Sequence, residues 1–313
     1  MAAPILVIGA RGSPLSLAQT GQTRAVLAAA LGVAPEDAEA ALPVTPIVTT
    51  GDRIQDRRLL EVGGKGLFTK ELDEALLDGR IDLAIHSMKD VPTRLPDGLV
   101  LAAVPARADV RDAWLAAGDA ALGDLPAGAV VGTASLRRQA QILFARPDLK
   151  VEPLRGNVDT RLARLESGDF AATLLARAGL DRLGRSQGRA MHLLDPVAMP
   201  PAAGQGALAL VARAGDERVL AIAARIDDAA TRAEVAAERA FLAALDGSCR
   251  TAIGVHARLT GDRIAFIGEA LTGDGTTRWR RTGEVIAADA EALGARLGAE
   301  VRAEAGTRLA EVG

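Results

Sequence analysis

The length, composition and charge of the chain limit the kinds of protein it can be. Its 313 residues suit two or three domains, and 49% hydrophobic with 25% charged residues is ordinary for a globular protein. A net charge of −3 argues against a basic nucleic-acid-binding protein, and a single cysteine excludes an internal disulfide and a cysteine-rich zinc site.

The N-terminal segment MAAPILVIGARGSP has a short apolar run without a preceding basic region. It therefore predicts a first strand and not a signal peptide. No apolar run reaches the roughly 18 residues of a membrane span. We expect a cytoplasmic protein, which also agrees with the single cysteine because reducing compartments disfavour disulfides.

Short apolar strands alternate with helices through the first part of the chain. PILVIGA, VTPIVTT, IDLAIHS and LVLAAVP predict strands, and SPLSLAQTGQTRAVLAAAL and LFTKELDEALLDG predict helices. Ser13 is a plausible N-cap, with Pro14 at the first helical position. This alternation is typical of α/β sheets that are largely parallel.

A second series of the same kind follows. AVVGT, KVEPL, AATLLA and GALALVA predict strands, and SLRRQAQILFA, VDTRLARLESG and AGLDRLG predict helices. Two such series predict two similar α/β domains, with residues 105–113 and 199–206 as the crossings between them. The strand after the second crossing could return to the first domain.

After about residue 226 a long helix, two hairpins with Gly-rich turns and a closing helix predict a small α+β domain. The predicted fold class is thus α/β with three domains. Domain 1 covers residues 1–105 and 206–225, domain 2 covers 106–205, and domain 3 covers 226–313.

Polar residues collect where predicted strands lead into helices. Helix N-termini favour anions, and arginine offers carboxylates two-point hydrogen bonding. A single arginine there is about as consistent with a solvated surface, but the set predicts an anion-lined cleft. Its members are Arg11, Ser13, Lys89, Asp90, Ser135, Arg137, Arg138, Arg155 and Asn157.

The expected anion is a carboxylate and not a phosphate. VGGKGLF, at 62–68, has the wrong spacing for a Walker motif, and no G-x-G-x-x-G follows the first strand. The three histidines are scattered and form no metal-ligand pattern with the cysteine.

Asp90 is the candidate acid among these residues. A carboxylate surrounded by cations should stay ionised, and it can then stabilise a developing cation or relay a proton. The alternative is an Asp that caps a helix.

Cys249 follows the end of a predicted helix, where the helix dipole disfavours a thiolate, although Arg250 partly offsets this effect. A Cys–His nucleophile with His256 is poorly supported, because seven residues along a strand do not imply contact. Two readings stay open for Cys249 at this point: an inert thiol, or a covalent attachment point that reacts once.

The motifs resemble those of the porphobilinogen deaminase (hydroxymethylbilane synthase) family, essentially from end to end. HSMKDVP together with LRGN is highly specific. The other matching stretches are ARGSPLSLAQ, VTTGD, VGGKGLFTKELDEALL, VGTASLRRQAQ, AAGQGAL and AERAFLAALDGSCRTAIG.

This resemblance implies two domains similar to periplasmic binding proteins around a cleft, and a third domain that carries a cysteine. The family condenses four porphobilinogen molecules head to tail, with release of ammonia. The growing chain is primed by a dipyrromethane cofactor held through a thioether. The implied partner is this small substrate, without nucleic acid or membrane, and the implied oligomeric state is a monomer.

The family's roles transfer to matching positions of this sequence. Cys249 would hold the cofactor, and Asp90 would bond pyrrole N–H groups and stabilise the cation formed when ammonia leaves. A lid would span 53–66, through Lys65 to Phe68. Cofactor carboxylates would be held by Lys89, Ser135, Arg137, Arg138 and Arg161. The incoming-substrate path would be lined by Arg11, Ser13, Arg155 and Arg182, with Gln19 in support.

The sequence departs from the family pattern at a few places. Ser248 precedes the cysteine where many members have glycine, and Ala252 replaces a proline. Glu61 stands where many members carry a basic residue, and Arg177 is an extra one. A binding module without chemistry is the competing hypothesis, but it leaves the third domain and Cys249 unexplained.

Overall fold

The fold is known from a computed structural model, which describes residues 3–53, 66–247 and 251–310. They form two compact units. The first contains the described parts of 1–56, 64–108 and 207–232, and the second contains those of 109–206 and 233–313. The predicted division into three domains at 105, 205 and 225 stays a prediction.

The first unit is built on a five-stranded sheet with the order β2-β1-β3-β10-β4. Strands β1 (Ile8–Arg11), β2 (Val44–Ile47) and β3 (Leu83–Ser87) form a parallel trio with β1 in the middle, and β10 (Leu208–Arg213) lies antiparallel between β3 and β4 (Leu99–Ala103). Its helices are α1 (Pro14–Ala30), α2 (Ala38–Ala41), α3 (Thr50–Arg53), α4 (Lys70–Leu77) and α8 (Glu217–Ala223).

The second unit contains a sheet of the same design, with the order β7-β6-β8-β5-β9. Strands β6 (Val130–Gly132), β7 (Lys150–Glu152) and β8 (Ala172–Ala176) are parallel, and β5 (Asp112–Ala116) runs antiparallel to β8 and to β9 (His192–Leu193). Helices α5 (Leu136–Ala145), α6 (Val158–Glu166) and α7 (Arg177–Arg182) accompany it.

In both sheets a parallel trio is extended by antiparallel strands. The alternating pattern predicted the trios correctly, and the strand after the second crossing does join the first sheet. Strand β5 was missed, because the segment DAWLA directly follows a polar crossing and is only five residues long.

The C-terminal part of the second unit is an antiparallel meander. Strands β11 (Ala252–Thr260), β12 (Arg263–Leu271) and β13 (Arg278–Ile286) pair in sequence order, and helices α9 (Ala229–Ala244) and α10 (Ala290–Ala305) flank them in the chain. The core contains Phe241 and Phe266, whose ring centroids lie 5.5 Å apart. The predicted fold class, two α/β domains followed by a small α+β domain, is confirmed. No helix within residues 3–53, 66–247 and 251–310 has the length and apolar character needed to cross a membrane.

Candidate active site

The first group of predicted residues lies at the carboxyl ends of β1 and β3. These strands are parallel neighbours, so their ends meet at one edge of the sheet. Ser13 caps α1 as predicted, because its hydroxyl accepts from the backbone N–H of Ser16 at 3.3 Å. Arg11 Nη1 comes within 3.8 Å of Asp90 Oδ2.

Arg11 is held on two further sides. Its Nη2 donates to Asp52 Oδ1 at 2.5 Å, and its guanidinium lies 4.1 Å from the centre of the Phe68 ring. Burial alone would raise the pKa of Asp52, but hydrogen bonds from Arg11 and Thr49 outweigh it and lower that pKa below its usual value. Asp52 therefore stays ionised and fixes the guanidinium beside Asp90.

Asp90 ends a short 3-10 helix, Met88–Asp90, and the next regular element is strand β4. It therefore does not cap a helix that starts after it, which argues against the capping alternative. Its side chain is 33% exposed, whereas Lys89 beside it is exposed and His86 before it is buried. Asp90 is accessible to a ligand while its orientation is set by Arg11.

Arg11, Ser13, Phe68 and Asp90 line a small pocket of the first unit. Gln19 lies at its wall, where its Oε1 accepts from the Ser87 hydroxyl at 3.1 Å. Burial, with a smaller contribution from the charge of Arg11, lowers the pKa of His86 to about 4, so this imidazole is neutral at pH 7. The pocket thus brings an accessible carboxylate, a guanidinium and neutral polar groups together.

The second group lies in the second unit, around the first turn of α5. Ser135 caps this helix, and its hydroxyl accepts from the backbone N–H of Arg138 at 3.4 Å. Arg137 and Arg138 are both buried, and both pair with Asp112: Arg137 Nη2 at 2.8 Å and Arg138 Nη2 at 2.7 Å. Two guanidinium groups thus share one carboxylate.

Asp112 was not found by sequence reasoning, although it organises this group. Burial would raise its pKa, but Arg137 and Arg138 lower that pKa far below its usual range. Gln205 donates to the same carboxylate at 2.8 Å. Nothing in the local sequence marks Asp112, because its partners lie 25 and 26 residues away.

Two further arginines extend the positive charge. Arg161 Nε donates to the carbonyl of Gly156 at 2.9 Å. Burial first, and then the charges of Arg138 and Arg155, lower the pKa of Arg161 to about 10. Burial is the largest cause, and the smaller repulsion from Arg138 and Arg155 places three positive charges near one another, which favours an anion there.

Arg182, the last cation predicted for the site, donates from Nη2 to the Gly206 carbonyl at 2.8 Å, and burial lowers its pKa. Arg177, the extra basic residue, pairs with Asp181 one turn along α7 at 2.8 Å. It therefore has a local partner.

Buried donors in this group test whether a polycarboxylate would fit. Within the described ranges, Arg137 Nε, Arg138 Nε and Arg155 Nη1 are buried without a hydrogen-bond partner. Buried N–H groups normally have one, so unpaired donors beside excess positive charge match the requirements of several carboxylates. The residues present fit a dipyrromethane with acetate and propionate groups.

Cys249 lies outside the described residues, as do Ser248 and Arg250, and only its flanks are seen. Asp246 takes a left-handed conformation, with φ of 50°, just after α9. A Cβ on Gly247 would come within 2.4 Å of Leu242 Cδ1 and 2.5 Å of Ile253 Cδ1, so glycine is needed there. Ala252, in place of the proline, opens strand β11.

Most of the predicted lid also falls outside the described residues, including Glu61 and Lys65. Phe68, at the end of the predicted lid, is described, and its ring contacts the guanidinium of Arg11. Phe68 also packs on Gly51, where a Cβ would come within 2.2 Å of the ring.

The fold and the two arginine groups are typical of a class: α/β proteins that bind small anionic ligands. Family models agree in detail. Residues 6–221 match the porphobilinogen deaminase dipyromethane cofactor binding domain, and residues 232–303 match the porphobilinogen deaminase C-terminal domain.

Curated relatives agree with the family models. A porphobilinogen deaminase of Caulobacter sp. (strain K31) is 59% identical over 96% of both chains, and one of Phenylobacterium zucineum is 55% identical over 98% of both. A substrate binding domain of a putative amino acid ABC transporter from Streptococcus pneumoniae is 13% identical, covering 70% of this chain and 90% of that one, with a TM-score of 0.42. This last likeness is too slight to identify a ligand.

The chain belongs to the porphobilinogen deaminase family. It is an enzyme of tetrapyrrole biosynthesis, a hydroxymethylbilane synthase that condenses four porphobilinogen molecules and releases ammonia. Its cofactor-binding domain is the one that takes dipyrromethane.

Proposed function

We propose that Cys249 carries the dipyrromethane through a thioether and that Asp90 is the catalytic carboxylate. When bound, the cofactor supplies the anchored end from which the linear tetrapyrrole grows. The observation that carries the proposal is the pairing of an accessible carboxylate, Asp90, with a fixed guanidinium, Arg11, in one small pocket.

Asp90 performs the electrostatic work in this proposal. Loss of ammonia from the aminomethyl group of porphobilinogen leaves a positive charge on the substrate, and an ionised carboxylate stabilises it. The same carboxylate accepts hydrogen bonds from pyrrole N–H groups. Arg11, oriented by Asp52, binds one carboxylate of the substrate and so positions it. Ser13 and Gln19 lie at the wall of the same pocket.

The arginines of the second unit hold the product as it lengthens. Arg137, Arg138 and Arg161, with Ser135, bind the carboxylates of the cofactor, and Arg155 and Arg182 those of incoming substrate. Lys89 is proposed to bind cofactor carboxylates as well. The support is the excess of guanidinium groups over carboxylates around Asp112 and the unpaired buried donors.

The remaining proposals concern the state of the protein in the cell. We propose a cytoplasmic monomer that acts on a free small molecule, without nucleic acid or membrane as partner. A net charge of −3 supports this, because it provides no overall attraction to a polyanion. Light scattering of the purified protein should give one chain per particle, and a dimer would overturn the monomer.

Intact mass tests the anchor most directly. The purified protein should carry an added mass equal to a dipyrromethane, and Cys249→Ala should lose both that adduct and turnover. Cys249→Ser is the matched control for size, and it should also lack the thioether. An active protein with an unmodified mass would overturn the assignment of Cys249.

A further inference from the structure

A chain of buried polar side chains joins Arg137 to the C-terminal sheet within the second unit. Arg137 Nη1 donates to Gln141 Oε1 at 2.9 Å, and Gln141 Nε2 donates to Glu269 Oε1 at 2.8 Å. Arg137 and Gln141 lie one turn apart on α5, whereas Glu269 lies on β12. These hydrogen bonds therefore connect α5, which carries Arg137, to strand β12 of the C-terminal sheet.

The amide oxygen and both amide protons of Gln141 have hydrogen-bond partners. Its second amide proton goes to the carbonyl of Pro200 at 2.9 Å, and this same carbonyl accepts from Arg137 Nη1 at 3.2 Å. The amide oxygen faces a guanidinium, and the amide nitrogen faces a carboxylate. Reversing the amide would oppose like partial charges at both ends, so the two neighbouring charges specify one orientation.

Glu269 is an unusual residue to find in this position. Its side chain is 1% exposed, and it pairs with Arg280, directly opposite it on β13. Arg280 also donates to the carbonyls of Val197 at 3.1 Å and Ala198 at 2.9 Å. Well-packed apolar residues are often at least as stable as a buried ion pair, so overall stability alone does not account for Glu269.

The backbone of β11 is packed against the same helix. A Cβ on Gly254 would lie 2.5 Å from the Pro200 carbonyl oxygen and 2.8 Å from Gln141 Nε2, so only glycine leaves room for the amide. Ala252, which opens β11, packs with Leu136 and Ala140 of α5. The strand that begins three residues after Cys249 is thereby fixed against the turn that carries Arg137.

Arg137 depends on these partners for its position. Asp112 holds its Nη2, while Gln141 and Pro200 hold its Nη1. Burial lowers the pKa of Arg137, and the carboxylates of Asp112 and Glu269 oppose that shift. Without Gln141 the guanidinium keeps Asp112 as its charged partner but loses the shorter of its two Nη1 hydrogen bonds, so its orientation is less restricted.

We propose that Gln141 and Glu269 are positioning residues that hold Arg137 in register with the strand leading out of the Cys249 loop. This inference rests on the proposed function of Arg137 in holding the cofactor. The C-terminal sheet, whose strand β11 begins three residues after Cys249, then supports a guanidinium proposed to bind cofactor carboxylates. Neither residue needs to touch the cofactor for this role.

The test compares Gln141→Met and Glu269→Gln with Glu284→Gln. Glu284 is the matched control because it pairs with Arg263 across the same two strands but is exposed. The fraction of protein carrying the cofactor is measured by intact mass, folding by thermal melting, and kcat and KM per total protein by steady-state turnover. Porphobilinogen is the substrate throughout.

We expect the cofactor-carrying fraction to fall roughly tenfold in Gln141→Met and severalfold in Glu269→Gln, since each change removes a hydrogen bond to a charged group. The kcat per total protein should fall in proportion, with KM unchanged and the protein folded at the assay temperature. Glu284→Gln should match the wild type in all measurements. Gly254→Ala, which displaces the Gln141 amide without altering any charge, should reduce the cofactor-carrying fraction in the same way.

Two outcomes overturn the inference. One is full cofactor loading in Gln141→Met and Glu269→Gln, even if their melting temperatures fall, because the chain is then merely structural. The other is a loss of cofactor loading in Glu284→Gln as large as in the two test variants, which shows that any weakening of the β12–β13 hairpin reduces loading. A wild-type protein that carries no adduct contradicts the proposed function instead, so the two failures are distinguishable.

Discussion

The two arginine groups differ in how their charges are balanced. In the first unit, Arg11 lies between two carboxylates, Asp52 and Asp90, at 2.5 and 3.8 Å. In the second unit, Arg137 and Arg138 share the single carboxylate of Asp112, while Arg155 and Arg161 add positive charge beside them. One region is balanced around an accessible acid, and the other has an excess of cations.

This difference matches two tasks. An accessible acid beside a fixed guanidinium is suited to stabilising a positive charge that develops on the substrate. A region with excess cations is suited to carboxylates that stay bound. We propose that the first group acts on the reacting carbon and that the second holds the growing tetrapyrrole.

Asp90→Asn gives the largest expected effect. The amide keeps the shape of the side chain but cannot stabilise the cation, so turnover should fall by about 10²–10⁴-fold. Folding should be unchanged, since Asp90 is partly exposed and lies 3.8 Å from Arg11. Ammonia release and thermal melting measure the two effects.

The control for Asp90→Asn is Asp97→Asn, at an exposed carboxylate that pairs with Arg94. It should behave as the wild type. Near-normal ammonia release by Asp90→Asn would contradict the assignment of chemistry to the first region.

Arg161→Met should separate binding from stability in the second region. Removing one of three neighbouring cations relieves their repulsion, so the melting temperature should stay equal or rise. The cofactor-carrying fraction should fall about tenfold, since a hydrogen bond to a charged group contributes about 1.5–3 kcal/mol. Intact mass and thermal melting are the measurements.

Arg164→Met is the control on the same helix, because Arg164 pairs with Asp169 at 2.8 Å. Its cofactor loading should be unchanged. If Arg161→Met lowered stability and kept full loading, the second region would be structural and the comparison would fail.

Asp73→Asn gives the smallest expected effect, a change in the pH dependence of stability. Asp73 is a buried carboxyl of α4, and burial raises its pKa to about 6, with Thr69 partly opposing the shift. Because the folded pKa exceeds the ordinary carboxyl value of 3.8, the contribution of Asp73 to stability is full below pH 3.8 and is lost as the pH rises through 6. The asparagine should therefore stabilise the protein by about 1–3 kcal/mol at pH 8 and by little at pH 4.

Urea unfolding at both pH values measures this difference. The buried His86 has its pKa lowered to about 4, but it is present in both proteins and its contribution cancels. Asp78→Asn, at an exposed carboxylate at the end of α4, is the control and should change little. An equal gain in the free energy of unfolding at pH 4 and pH 8 would show that ionisation of Asp73 does not destabilise the folded protein.

Much of the fold followed from local pattern. Ser13 was predicted to cap α1, and Leu136–Ala145 was predicted as a helix following a short strand. Alternation of apolar strands with amphipathic helices predicted the parallel trios because periodicity is a local property. Strand β5 was missed, since five residues after a polar crossing carry too little periodicity.

The site was predicted less completely than the fold. Arg11, Asp90 and Arg137 were singled out because each follows the carboxyl end of a predicted strand, and their roles stay predictions. Asp52 was quoted within a motif, but its contact with Arg11 was not foreseen. Partners such as these are chosen by strand order and not by neighbouring sequence.

The sequence by itself determined the class of fold, the family and the positions of the cations and of Asp90. Only the tertiary structure decided how their charges are paired. Asp112 meets Arg137 across 25 residues, and Gln141 meets Glu269 across 128. The physical reason is that an ion pair depends on distance and burial in three dimensions, and an acidic residue looks the same in sequence whether it is solvated or buried against two guanidinium groups.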